Sequence, residues 1–117
     1  MLAHGALLRK NFFSAEEIIA IVKDFHQAGL PPEEVAIMAY AQKVITQAHQ
    51  VSEQDMAELR EFGLSDEEIL DITVASAARS FFSKVLDALN VRPDDVYLEL
   101  EPELLQALTP GRPFSEK

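Results

Sequence analysis

The sequence predicts an all-α fold, a compact bundle of about five to six helices, on three observations. Three serines each stand three residues ahead of an acid at the head of a helix-periodic stretch. Glycines and prolines fall between such stretches rather than inside them. No segment sustains the period-two alternation of a half-buried strand.

Taken in order, residues 2–10 read as the end of a helix that begins before this chain does. The next helix runs from Ala15 to Ala28 and stops at Gly29. Its start carries Ser14 with Glu17, so the hydroxyl can accept from a first-turn N–H while the carboxylate reaches back to the cap. Phe13 and Ile18 are spaced to close over that start as a hydrophobic staple. A third helix spans Pro32 to Ala48, where Pro31-Pro32 supplies helical φ and Glu33-Glu34 meets the positive end of the dipole. A fourth covers Glu53 to Phe62, capped by Ser52 with the shorter Asp55, stapled by Val51 and Met56, and ended by Gly63. The longest runs from Asp66 to Leu89, capped by Ser65 with Glu68, stapled by Leu64 and Ile69, and stopped by Asn90 before Pro93. A last short helix is expected from Glu103 to Leu108, and 109–117 as a C-terminal tail of a single domain spanning 1–117.

Composition narrows function by exclusion. A formal charge of −10 repels phosphate backbones, and Arg9-Lys10 is the only adjacent basic pair, so nucleic acid is not an expected partner. The apolar runs are too short to span a membrane, and Arg9 and Lys10 interrupt any leader-like stretch, which leaves a cytoplasmic setting as the default. There is no cysteine, so these residues supply no disulfide, thiolate zinc ligand or thiol nucleophile.

Two helices are apolar beyond one stripe. Val35, Ile37, Met38, Tyr40, Val44 and Ile45 spread around the third helix. Leu70, Val74, Phe81, Phe82, Val85 and Leu89 join Ile69, Ile72 and Leu86 around the fifth. A helix apolar on most sides must be covered on most sides, and a chain of 117 residues has few helices to do it. A homo-oligomer, a dimer or larger, is therefore expected.

No chemical constellation stands out. His4, His26 and His49 never fall at the i, i+4 spacing that puts two metal ligands on one helical face, so no metal is expected. His26 and His49 lie near predicted helix C-termini, where an imidazolium meets the negative dipole end. Most carboxylates crowd helix N-termini, which accounts for them without catalysis, and no cofactor-binding loop appears. Ser76, Ser80 and Ser83, with Arg79 beside them, form a polar strip on the longest helix. Such serines bond back to a carbonyl one turn earlier or ease close packing. A strip of this kind can also line a pocket for a small-molecule ligand.

The segment His4-Gly5-Ala6-Leu7-Leu8-Arg9-Lys10 resembles the stretch that follows the redox dithiol in alkylhydroperoxidase-D-like proteins of the carboxymuconolactone decarboxylase family. The order of later segments agrees: Leu30-Pro31-Pro32-Glu33-Glu34, then Leu59-Arg60-Glu61-Phe62-Gly63-Leu64-Ser65, then Phe81-Phe82-Ser83-Lys84-Val85-Leu86, and Leu108-Thr109-Pro110-Gly111-Arg112-Pro113. The resemblance covers nearly the whole chain and is nearest to the peroxidase-related branch. It implies a helical fold that oligomerises, an antioxidant oxidoreductase lineage, and His4 as the remnant of a C-x-x-C-x-x-x-H-G proton relay. In that register the second cysteine falls one position before Met1. The family's dithiol and upstream glutamate are then missing, and two of its asparagines are replaced by Ser80 and Ser83. The family's peroxide chemistry needs a thiolate, so these residues are expected to be inactive as a thiol peroxidase. Three readings remain open: a shortened enzyme, a non-enzymatic oligomeric binding or interaction module, and a decarboxylase-like lyase.

Overall fold

The computed structural model describes residues 1–111, and these are all-helical. In chain order the helices are α1 (Leu2–Asn11), α2 (Ala15–Lys23), α3 (Pro32–Gln47), α4 (Glu53–Glu61), α5 (Asp66–Ala88) and α6 (Pro102–Ala107). Three short 3₁₀ turns lie at Phe25–Gln27, Ala48–Gln50 and Asp95–Glu99. Arg112 and Pro113 of the family-like tail lie outside the described residues.

The helix starts follow the local chemistry of the chain. Ser14 Oγ accepts from the Glu17 N–H at 3.2 Å, Ser52 Oγ from Asp55 N–H at 3.4 Å and Ser65 Oγ from Glu68 N–H at 3.1 Å. The reciprocal arm forms at Ser52 and Ser65, so α4 and α5 begin with complete capping boxes; at Ser14 only the first arm is made. The shorter acid makes the tighter return bond: Ser52 N–H reaches Asp55 Oδ2 at 2.8 Å, against 3.3 Å from Ser65 N–H to Glu68 Oε1.

One boundary differs from expectation by more than a single residue. Helix α2 ends at Lys23, six residues before the glycine that was to stop it, because Asp24 turns extended (φ −162°, ψ 100°). Its carboxylate accepts from the His26 N–H at 3.0 Å and lies 3.1 Å from His26 Nδ1, while the Phe25 and His26 rings stack. A short acid that bonds its own downstream backbone offers the chain an alternative to the next helical turn. His26 therefore belongs to a capped 3₁₀ turn rather than to an α-helix C-terminus.

The stops work as glycine and asparagine stops should. After α4, Gly63 takes φ 93°, its N–H donates to Arg60 O, and Leu64 N–H donates to Leu59 O. This double closure is a Schellman motif, and its hydrophobic partners Leu59 and Leu64 sit in one buried cluster. Asn90 repeats it after α5 with φ 57°, donating to Asp87 O while Val91 N–H donates to Leu86 O.

The chain forms two compact units, one from residues 1–29 with the chain from Arg92 onward, the other Leu30–Val91. In the first, Leu2, Ile18, Leu104 and Leu108 are buried together, with Phe13, Ile19, Val22 and Tyr97 packed against them. Gly5 matters here for closeness: a Cβ built on it would stand 2.6 Å from Leu108 Cδ1, so α1 meets that side chain only because position 5 has none. Arg9 ties the same unit by an ion pair to Glu101 at 2.7 Å. In the second unit the core is Tyr40, Leu59, Leu64 and Ile69, supported by Ala36, Ile37, Val44, Val51, Met56 and Ile72. The staple residues Val51, Met56, Leu64 and Ile69 thus become core, and α3 packs along α5.

Burial outweighs capping in these units. Leu59 and Leu104 are fully enclosed, and truncating such a leucine to alanine costs about 2–5 kcal/mol. Losing a serine cap costs about 1 kcal/mol. Urea unfolding should therefore rank Leu59→Ala and Leu104→Ala well below Ser52→Ala and Ser65→Ala in stability, each cap variant losing about 1 kcal/mol.

Candidate functional site

His4 sits on the first turn of α1 with its ring exposed, and it makes no hydrogen bond or ion pair among the described residues. Its neighbour Gly5 is buried against Leu108, so the His4-Gly5 pair combines a packing glycine with an outward imidazole. His4 belongs to the first unit and the α5 residues to the second.

On α5 the polar strip lies on the half-buried side of the helix. Ser76 Oγ donates to Ile72 O at 2.7 Å, the local bond expected of a mid-helix serine. Arg79 Nη1 donates to Ser83 Oγ at 2.7 Å, and Lys84 Nζ donates to Ser80 Oγ at 3.0 Å. Each hydroxyl of the strip is thus engaged within its own helix.

None of the five candidate residues lines either of two clefts formed by the described residues. One, about 220 Å³, lies in the first unit between Ala15, Glu16, Ile19 and Glu101, Pro102, Glu103. The other, about 150 Å³, lies in the second unit between α3 and α4, lined by Ala36, Ala39, Tyr40, Lys43, Asp55, Glu58 and Leu59. Its Lys43, Asp55 and Tyr40 side chains are already paired within the protein. Lys43 Nζ donates to Asp55 Oδ2 at 2.8 Å, and the same oxygen accepts from the Ser52 N–H and Oγ. Thr73 Oγ1 donates to Ile69 O, so the 2.7 Å contact between Tyr40 and Thr73 is a bond donated by the tyrosine hydroxyl. These pairs were not singled out from sequence, since Lys43 with Asp55 and Tyr40 with Thr73 meet only once α3, α4 and α5 pack.

Electrostatic perturbation follows the ion pairs. The Lys43 ammonium and the Ser52 N–H hold the Asp55 carboxyl below the usual carboxylate range. Arg9 does the same to Glu101. Arg60 bridges Glu53 and Asp66, joining the first turns of α4 and α5. Among the described residues no three His, Cys, Asp or Glu side chains cluster as a metal site. No helix among them is long and apolar enough to cross a membrane.

The most conspicuous unsatisfied surface is apolar. Ile69, Ile72, Ser76, Ser83 and Leu86 mark the inward side of α5, while the opposite side presents Leu70 (60% exposed), Val74 (57%), Phe81 (69%), Phe82 (56%) and Leu89 (72%). Ala77 and Ala78 lie exposed between them. The cations of this helix also lack acidic partners: Arg79 and Lys84 donate to serines and to no carboxylate among the described residues.

Comparison of the chain with family models, curated proteins and solved structures finds no significant match. The likeness to alkylhydroperoxidase-D-like proteins rests on the residues quoted above.

The Asp55 pair gives a pH test. A carboxylate whose folded-state pKa is depressed stabilises the fold fully above its unfolded pKa, and that stabilisation is lost as pH falls through the folded value. Lys43→Met should lower unfolding stability near pH 6, and its deficit against the parent chain should shrink below about pH 4 as Asp55 protonates in both. Urea titrations at the two pH values measure this directly.

Proposed function

We propose that this chain is a non-enzymatic interaction module that acts as a homo-oligomer, on a scaffold of alkylhydroperoxidase-D-like lineage. The observation that carries the proposal is the outward face of α5, where phenylalanine, leucine and valine side chains stand more than half exposed along one line. Contiguous apolar surface of this kind marks an interaction site on a soluble protein. The candidate chemistry supports the same reading. The 117 residues hold no cysteine. Among the described residues no hydrogen bond or ion pair orients His4, and the hydroxyls of the α5 strip bond within their own helix.

The second reading, a thiol peroxidase lineage, is favoured by His4-Gly5 followed by Ala6-Leu7-Leu8. In that family the attack on peroxide oxygen is made by a thiolate, and an imidazole moves protons but does not replace the sulfur. The lyase reading needs a general acid and base facing one substrate; the perturbed carboxylates here, Asp55 and Glu101, are instead held by Lys43 and Arg9 in structural pairs.

Two measurements decide between these readings. The purified chain should consume no hydroperoxide with a dithiol reductant, and turnover above the buffer rate would reject the non-enzymatic reading. Light scattering at micromolar concentration should give at least twice the mass of one chain; a well-folded monomer would reject the oligomer.

A further inference from the structure

We infer that the outward face of α5 docks against the same face of a second copy, antiparallel, across a two-fold axis at Ala77-Ala78. The inference rests on the oligomeric reading above and specifies its seam.

The first argument is geometric. At 100° per residue, Leu70, Val74, Ala77, Ala78, Phe81 and Val85 fall within about 50° of one line along the helix. That line lies opposite the side that carries Ile69, Ile72, Ser76, Ser83 and Leu86 toward the core. The series is also close to self-complementary when reversed. Counting outward from Ala77 and Ala78, Val74 and Phe81 each stand three positions away, and Leu70 and Val85 each stand seven. A perpendicular two-fold axis at the alanines brings Val74 level with the partner's Phe81, and Leu70 level with the partner's Val85. Each level then matches a larger side chain with a smaller one, and alanines at the crossing let the backbones approach to about 8 Å.

The second argument is charge. The first turns of α5 are acidic, with Asp66, Glu67, Glu68 and Asp71, while its later half carries Lys84, whose ammonium meets only a serine hydroxyl, and a single acid, Asp87. Parallel docking would set acid beside acid. Antiparallel docking sets the Lys84 half of each helix beside the acidic half of the other, with the helix dipoles opposed. On a chain of charge −10, this arrangement sets Lys84 level with the partner's Asp71 and keeps the two N-terminal acidic clusters apart, leaving Asp87 level with the partner's Glu68 as the one like-charge pair.

The third argument is area. On the seam Leu70, Val74 and Phe81 stand more than half exposed and Val85 39% exposed, with Phe82 and Leu89 on its flank. These side chains form the centre of an interface that reaches the ~800 Å² per partner of a standard stable one with the flank and rim included.

The absence of cysteine makes the test clean, because a single introduced thiol has no competitor. On mild oxidation Ala78→Cys should give mostly disulfide-linked dimer, since the axis brings two copies of position 78 within bonding reach. Leu70→Cys alone should not link, its two copies lying about 22 Å apart along the seam. A mixture of Leu70→Cys and Val85→Cys chains should form the linked heterodimer. Phe81→Asp, with helicity checked by circular dichroism, should weaken self-association by about 30-fold or more. An oligomer that survives Phe81→Asp and gives no Ala78→Cys link overturns this seam while leaving the oligomeric reading intact. Linkage through Leu70→Cys alone overturns the antiparallel arrangement. A monomeric parent chain overturns both the seam and the reading beneath it.

Discussion

Helix α5 must satisfy two apolar faces that point in opposite directions, and a helix packed along one side can cover only one of them. Its inward side meets α3 and closes the cluster of Tyr40, Leu59, Leu64 and Ile69. That contact positions the second unit: the Leu64–Ile69 staple sets the entry of α5, the Schellman turn at Gly63 sets the exit of α4, and Arg60 bridges their first turns. The outward side is left with leucine, valine and phenylalanine in the open. At about 25 cal/mol per Å² of apolar area removed from water, covering that side is favourable. The proposed function follows from this asymmetry rather than from any reactive group.

The polar groups give a contrasting account. No polar or charged residue is buried among the described residues, and no buried side-chain nitrogen or oxygen there lacks a partner. Sites that bind or react commonly hold a titratable group in tension, by burial or by a like charge. Here the shifted carboxylates, Asp55 and Glu101, are shifted in the stabilising direction by Lys43 and Arg9, at sites open to solvent. Such pairs fix helices α3 to α4 and α1 to the segment before α6. The serines of α5 are similarly occupied, which makes the polar strip a feature of the helix itself.

Much of the fold was legible because its signals act within a few residues. The serine caps, the staples and the stops at Gly63 and Asn90 are local chemistry, and the helices begin where they indicate. The departure at α2 has a local cause as well, but Asp24 competes with helix only when its carboxylate turns back onto His26, and composition does not show that choice. The candidate site was less legible. Ser76, Arg79, Ser80 and Ser83 were visible as a strip, and whether a strip lines a cavity depends on what packs over it. Gly5 read as part of a motif with His4, whereas its packing role depends on Leu108, more than a hundred positions away.

The sequence by itself determined the all-helical class, most helix limits, the exclusion of thiol chemistry from these residues and the excess of apolar surface on α3 and α5. Those properties depend on periodicity, capping and composition, which act over one or two helical turns. Only the tertiary structure decided that the chain gathers into two units with separate cores, and that Tyr40 meets Thr73 and Lys43 meets Asp55. It alone decided which face of α5 stays in water. A helix apolar on two sides carries no local instruction about which side faces its neighbour, and only the helices packed against it make that selection.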